Sequence, residues 1–573
     1  MSANPQHAAF APAERIAQAR RFLDEGDATQ ARRLVGEALQ ADPDDAAALC
    51  LGGKLELLKG RAERAQELLG RALDIAPQDV EAHLALADLH RRARRFEDAL
   101  DELSLALHYA PDNAAALFEI GNVRRMQGDL DGAIEAFREA TEKDPAMAQA
   151  YVELGHVYLT RKRFSEALEV LERAAELDPN SINGQNNLGY VYVRLEQYDR
   201  ALEVFSRLCA QTPGSMLWPR LNYGNALSHT GQLEASQRVY EYILQHEPNN
   251  FTAHWNQAHH MLARKAFAEG WREYHYRLQV EDVWHRRLIP FAPWKGEPLE
   301  GKTLLISAEQ GLGDQIMFAS CLPELVRRAQ QVILECDHRL AGLFQRSFPA
   351  VRVIGSRQEM NPPWLREVGH PDYHLRAGDL PGFFRTRLED FPQHDGYLVA
   401  DPARVARWKE RLAALGDGRM IGLSWRGGTR GTRRSLRSLG LSELVPILRI
   451  PGLRFVSLQY GECAEELETL RRETGIEVTH WPEAISDYEE TAALCVALDL
   501  TVSVCTSVIH LNGALGRPVW VMVPAVAEWR YGVAGETMPW YPAVRLIRQE
   551  TGGPWADVFA RVARDLKARF GGA

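Results

Sequence analysis

Residues 146–179 read AMAQAYVELGHVYLTRKRFSEALEVLERAAELDP. The stretch ends on Pro179, and prolines recur around it at 43, 77, 111, 145, 179, 213 and 248. The first five steps are 34 residues each and the last is 35. Ten residues after most of these prolines stands a small residue: Gly53, Ala87, Gly121, Gly155, Gly189 and Ala258. After Pro213 the offset is eleven, to Gly224, which locates a one-residue insertion. Twelve residues further comes a second small residue (Ala65, Ala99, Ala133, Ala167, Ala201, Ser236, Gly270), and four later a bulky one (Leu69, Leu103, Phe137, Leu171, Phe205, Tyr240, Tyr274). The small positions let paired helices approach, the bulky one fills the groove beside them, and the proline stops the second helix. A run from Pro12 through Ala19, Ala31 and Val35 to Pro43 adds one pair in front. The expectation is an α solenoid of about eight helix pairs over residues 1–284. Unrelated amphipathic helices would not keep a fixed period.

This pattern resembles the tetratricopeptide-repeat (TPR) family over half the chain. Solenoids bind along their concave face. The resemblance assigns that face to the first helix of each pair. Two residues before the first small position the series runs Leu51, Ala85, Glu119, Glu153, Asn187, Asn222, Asn256. An asparagine amide both donates and accepts, so Asn187, Asn222 and Asn256 can pair with an extended peptide backbone; ordinary solvated polar positions are the alternative. The run resembles the asparagine ladder of the O-linked N-acetylglucosamine transferases. It places backbone-gripping groups in the C-terminal repeats, leaving the early ones for a folded part of a partner or a second copy of this chain.

Composition sets outer limits. The chain has 573 residues, 46% hydrophobic and 25% charged, and a formal net charge of −10. That is globular, and too acidic for a general nucleic-acid binder. No apolar run approaches the ~20 residues of a membrane span, and residues 1–12 carry no secretory pattern. The seven cysteines are scattered with no C-x-x-C pair, so neither a disulfide framework nor a zinc site is expected. A reducing cytoplasm fits.

After residue 284 the period changes. Residues 285–299 read as a linker, with Pro290, Pro293, Pro298 and Trp294 in it. Short apolar runs then alternate with helical ones, the mark of α/β folding. Lys302–Ser307, Gln331–Glu335 and Val351–Ile354 form one series of strands, in residues 300–400. Arg419–Trp425, Leu453–Gln459, Ile476–Thr479, Asp499–Val504 and Pro518–Val523 form a second, in residues 401–573. Asp401–Ala414 bridges them as a helix, and Trp555–Phe570 closes the chain as another, with Val558, Val562, Leu566 and Phe570 on one stripe.

Three motifs carry chemistry. Gln310–Phe318 (Q-G-L-G-D-Q-I-M-F) follows the first strand. Gly311 and Gly313 allow a tight turn and close approach of a ligand to a helix N-terminus, but the third glycine of a dinucleotide fingerprint is missing. Asp314 reads as a helix cap or as a functional acid, with Glu309 its nearest substitute. Ser424–Ser438 (S-W-R-G-G-T-R-G-T-R-R-S-L-R-S) holds five arginines and no acid. Gly427, Gly428 and Gly431 free it to wrap an anion, and arginine pairs bidentately with phosphate or carboxylate. Ser424, Trp425, Arg426 and Arg437 join Gly427 and Gly428 as ligand-binding candidates; a solvated basic loop or an RNA patch are the rivals. Val502–Val523 reads as strand, polar turn, helix and strand. Thr506 and Ser507 can cap that helix and offer hydroxyls to an anion, and His510 lies one turn further in, as a ligand group or a core histidine. A thiol nucleophile at Cys505 would lack a base. The aromatics of Trp529–Gly532 and Pro539–Pro542 could wall a nucleotide pocket or simply pack.

Two Rossmann-like domains, a bridge and a terminal helix resemble the GT-B nucleotide-sugar glycosyltransferases. G-L-G-D resembles the opening motif of the ADP-heptose:lipopolysaccharide heptosyltransferases, and that resemblance gives Asp314 the role of catalytic base. T-S-x-x-H through G-R-P resembles the donor-site motif of the same enzymes, with Cys505 where they carry Asp. No Asp-x-Asp follows a strand, which disfavours a metal-dependent glycosyltransferase. TPR followed by such a module resembles the flagellin glycosyltransferases of flagellated bacteria. The resemblance implies a metal-independent protein O-glycosyltransferase with no cofactor. It would move a sugar, such as the CMP-linked nonulosonic acid pseudaminic acid, to Ser or Thr of flagellin, alone or with its chaperone, without nucleic-acid or membrane partners. A glycan or lipid-linked acceptor, and a non-enzymatic TPR adaptor with a degenerate transferase half, are the alternatives.

Overall fold

The computed structural model describes residues 12–280, 287, 289–357, 362–427 and 434–571. The chain divides into two compact units, residues 1–212 and 213–573. The sequence reading ends the repeats at 284; the division falls inside them.

In the first unit, twelve helices run from Pro12–Asp24 to Tyr198–Gln211 in antiparallel pairs. The repeat arithmetic is their packing. Ala65, Ala99, Ala133, Ala167 and Ala201 are wholly buried, as are Leu69, Leu103, Phe137, Leu171 and Phe205. A methyl added at Gly155 would lie 2.5 Å from Leu171, and one at Gly121 the same distance from Phe137. Bulky side chain and missing side chain thus face each other across each pair. Asp45, in the cluster Asp42–Asp45, N-caps the helix Ala46–Leu58 through the amides of Ala47 and Ala48.

The second unit opens with four more helices of the same design, Trp218–His229, Leu233–His246, Phe251–Ala263 and Phe267–Tyr274. Ser236 takes the alanine position, and its buried hydroxyl donates to the Gly224 carbonyl at 2.7 Å. The connector is anchored: Trp294 is buried, and its backbone amide donates to the His374 carbonyl.

Two sheets follow. The first contains β1 (Thr303–Ser307), β2 (Gln331–Asp337), β3 (Val351–Ser356) and β4 (Tyr373–Arg376), all parallel in the order β3-β2-β1-β4. The second contains β5 (Arg419–Ser424), β6 (Leu453–Ser457), β7 (Leu500–Val504), β8 (Val519–Val523), β9 (Thr537–Met538) and β10 (Tyr541–Arg548), in the order β6-β5-β7-β8-β10-β9. Only β9 runs antiparallel. The interior strands are buried on both faces, as parallel strands covered by helices must be. Ile476–Thr479, expected as a strand, makes only an isolated bridge from Thr479 to Val456, because the chain turns at once into the helix Pro482–Ser486. The expected helices are present as Pro402–Ala413 and Trp555–Phe570.

One continuous apolar core holds Trp271 and Tyr274 of the last repeat together with Ile316, Phe318, Leu322, Val508, Ile509 and Trp540. The last helix pair is therefore part of the sheet-bearing unit. A buried ion pair fastens it: Arg277, 0% exposed, reaches both Glu309 oxygens and donates to Asp379 at 2.7 Å.

Candidate functional site

Strand order decides where a ligand can sit. In an open α/β sheet, the chain leaves neighbouring strands in opposite directions at a switch point, opening a crevice beyond their C-terminal ends. The order β3-β2-β1-β4 puts that point beside β1, whose end leads into Gln310–Asp314. The order β6-β5-β7-β8 puts it between β5 and β7, whose ends lead into the arginine loop and the Cys505–Ser507 turn. All three motifs open onto one cavity of about 1440 Å³ within residues 213–573. Its wall includes Gly311, Gly313, Asp314, Ser424, Arg426, Gly427, Arg437, Thr506, Ser507 and His510.

Among the described motif glycines, Gly313 and Gly427 acquire a local cause and Gly311 a position. Gly311 is the N-cap of the helix Leu312–Ala319. The left-handed residue of the turn is Gln310, at φ 65°. Gly313 is required by its neighbour: a methyl there would lie 2.8 Å from the His510 ring, so the helices Leu312–Ala319 and Ser507–Ala514 meet at their N-terminal turns. A methyl at Gly427 would lie 2.8 Å from the Cys505 carbonyl oxygen, so the arginine loop and the Cys505–Ser507 turn touch.

Gln459 sets the loop's start. Its Oε1 accepts from the Trp425 and Arg426 amides at 3.0 and 2.8 Å, and its Nε2 donates to the Arg426 carbonyl. The loop returns antiparallel, with Gly427 N–H donating to the Arg437 carbonyl at 2.9 Å. Arg437 is thereby brought back beside the strand end. Gly428 and Gly431 lie outside the described residues. Trp425 is not on the cavity wall: it is 0% exposed in the core beneath the terminal helix, with its indole N–H on Glu466. Arg426 reaches the Glu462 carbonyl and the Glu466 carboxylate at 2.6 and 3.2 Å.

Asp314 sits in the first turn of its helix, where the carboxylate meets the Arg530 guanidinium, Nε to Oδ1 at 2.6 Å. It is not the helix cap. Burial raises its carboxyl above the ordinary carboxylate value, and Arg530 pulls the other way. Glu309 cannot replace it as a base: Arg277 and the Gly378 amide occupy it. His510 is buried, with Nδ1 3.1 Å from the Tyr541 hydroxyl, and desolvation lowers its pKa to about 3. It meets a ligand as a neutral ring. Thr506 holds the N-cap position without a capping bond, its hydroxyl turned to Ser503 at 3.2 Å. Burial pushes the Cys505 thiol up to about 12, which removes it as a nucleophile.

The structure adds wall residues that the motifs do not include. Glu528 and Arg530 come from the segment between β8 and β9, and Arg530 stacks on Trp529 at 4.6 Å. Trp529 packs edge-on against Trp271. Tyr460, 76% exposed, stands on the rim. Ser228, Trp255, His259 and His260 come from the repeat helices Trp218–His229 and Phe251–Ala263.

The asparagines divide between the units. Asn187 is half-buried on Ile182–Arg194 of the first. Asn222 and Asn256 are half-buried on Trp218–His229 and Phe251–Ala263 of the second. Asn256 donates to Asn225 at 2.6 Å. Among the described residues, no group of three His, Cys, Asp or Glu side chains is placed to hold a metal ion, and no helix is long and apolar enough to cross a membrane.

Against known proteins, the repeats come first. Residues 16–80, 84–148, 118–182 and 152–215 match the tetratricopeptide-repeat family model, so the helix pairs are TPR repeats. Protein FlbA of Caulobacter vibrioides is 37% identical over 322 residues, 54% of this chain and 53% of that protein. The chain thus spans about half the length of the curated relative it matches. Similar solved structures include PilF of Pseudomonas aeruginosa (TM-score 0.34, 18% identity, 37% of this chain and 94% of that one). Another is TTC0263, a TPR protein of Thermus thermophilus (TM-score 0.30, 21% identity, 32% of this chain and 100% of that one).

Proposed function

We propose that the chain is a metal-independent protein O-glycosyltransferase of GT-B type, moving a sugar from a nucleotide-activated donor to Ser or Thr of an acceptor held by the repeats. The observation that carries this is the meeting, in one cavity, of Asp314, Arg437 and the Thr506–Ser507 turn with a wall made of TPR helices. A carboxylate, a guanidinium and the start of a helix suit an attacking hydroxyl on one side and a departing phosphate on the other. A repeat helix lining the same cavity suits an acceptor that is itself a polypeptide.

The acceptor hydroxyl oxygen attacks the anomeric carbon, and its proton passes to Asp314. The bond from that carbon to the phosphate oxygen breaks, and its electron pair leaves on the nucleotide, whose charge Arg437 and Arg530 balance. Docking on the repeats raises the local concentration of the hydroxyl. Asn222 and Asn256, at one repeat position of the second unit, suit an extended segment gripped by its backbone. Flagellin is the acceptor and a CMP-linked nonulosonic acid the donor that this combination of repeat and transferase motifs favours. The chain works in the cytoplasm, where nucleotide sugars are made.

The test is nucleotide release from purified protein supplied with CMP-pseudaminic acid. Release that depends on added flagellin is expected. Release equally fast with a free glycan and no protein would move the acceptor to another class, and absence of binding to CMP, UDP, ADP and GDP alike would leave a TPR adaptor.

A further inference from the structure

Four charged side chains on the cavity wall are joined end to end. Asp314 meets Arg530 at 2.6 Å, Arg530 Nη1 meets Glu528 Oε2 at 3.3 Å, and Glu528 Oε1 meets Arg437 Nη1 at 2.9 Å. Glu528 gives one oxygen to each arginine, as a phosphate or a second carboxylate would. The two arginines come from different segments, one from the returning arginine loop and one from the turn Trp529–Tyr531. Glu528 bridges them. The four charges sum to zero, so this stretch of wall offers an incoming anion no net attraction until the bridge opens. With Glu528 withdrawn, both guanidiniums lose the carboxylate that joins them.

The parts differ in how firmly they are held. Arg530 is fixed by its stacking on Trp529, which is wedged against Trp271 and Tyr274. Glu528 keeps 23% of its side chain exposed, and its contact with Arg530 is longer than the one Asp314 makes. Arg530 is the fixed element, Arg437 is the less exposed of the other pair at 12%, and the carboxylate between them is the one placed to leave.

We propose that Glu528 is a resident competitor for the anionic group of the cavity's ligand, occupying Arg437 and Arg530 in the free protein and yielding both to an oxyanion on binding. This rests on the reading of the cavity as a nucleotide-sugar site and deepens it. Glu528 sets an affinity threshold: an anion with a single weak contact does not displace a bridging carboxylate, whereas one offering two oxygens with the right spread does. Such an oxyanion is the nucleotide phosphate or a carboxylate on the sugar.

Titration calorimetry on the full chain tests this with CMP, UDP, ADP, GDP and inorganic pyrophosphate for the phosphate, and N-acetylneuraminic acid for the sugar carboxylate. Glu528→Gln keeps the shape and removes the charge; it is expected to bind the preferred anion about tenfold tighter than wild type, in line with the coupling of close ion pairs. The gain falls on the phosphate probes or on the sugar acid according to which one takes the arginines. Glu528→Asp, too short to bridge, is expected to tighten binding about threefold and covers the case in which Glu528→Gln does not fold. Binding of the phosphate probes and of the sugar acid that is unchanged or weaker in a folded Glu528→Gln protein, with nucleotide still bound, overturns the inference and leaves the donor-site reading standing. No binding of any nucleotide by wild type or either variant overturns both.

Discussion

On the proposed mechanism Asp314 is the residue on which the chemistry turns, and its surroundings give it a pH signature. Burial raises its carboxyl above the usual 3.8. A base works only when ionised, so activity falls as pH drops through that raised value. The acid limb of kcat/KM therefore lies higher than an ordinary aspartate would place it, and Asp314→Asn lowers kcat by roughly 10²–10⁴ with donor binding retained. A variant within a factor of about three of wild type would give Asp314 to structure alone. Much of the wall was readable along the chain: Asp314, Arg437, Thr506, Ser507 and His510 lie in motifs that follow strands, and strand ends are where α/β ligands bind. Glu528, Arg530, Gln459 and Trp255 were not, because their roles depend on partners far away in sequence. Arg530 meets Asp314 across 216 residues. Trp425 went the other way: a motif member by position, it is drawn into the core by its own apolar surface.

Among the elements, the repeat period was legible because one spacing records three contacts at once. A further periodic feature sits between the helices of each pair. The turn needs a left-handed residue, and these fall at Gly26, Gly60, Arg94, Gly128, Lys162, Glu196, Gly231 and Lys265. Glycine adopts that conformation without strain; for other residues it costs about 1–2 kcal/mol, against glycine's larger entropy loss of about 0.5–1 kcal/mol. Arg94→Gly, Lys162→Gly and Glu196→Gly are each expected to stabilise the first unit by up to about 1 kcal/mol, nearly additively. Thermal unfolding of the triple variant checks this, and a lowered midpoint would contradict it. The strands were less readable. β4 is short and polar, Y-H-L-R. In β10, Pro542 argues against a strand, yet it precedes the ladder to β8, which starts at Val544. Thr479 joins the sheet edge by one bridge.

At the scale of the molecule, the division between the two compact units falls within the repeats. The last two helix pairs supply cavity wall and core to the sheets, so deleting residues 1–284 would strip both and leave Glu309 and Asp379 buried without Arg277. Sequence could not show this, because a terminal repeat has the same pattern whether it caps a solenoid or docks on a sheet. The central claim is that this cavity glycosylates a docked protein. Its most direct measurement is the intact mass of flagellin co-expressed with the full chain and a donor pathway. Wild type is predicted to add whole sugar increments, and Asp314→Ala and Arg437→Ala to abolish them. Flagellin of unchanged mass beside the folded wild-type protein, or increments undiminished in both variants, would contradict the account.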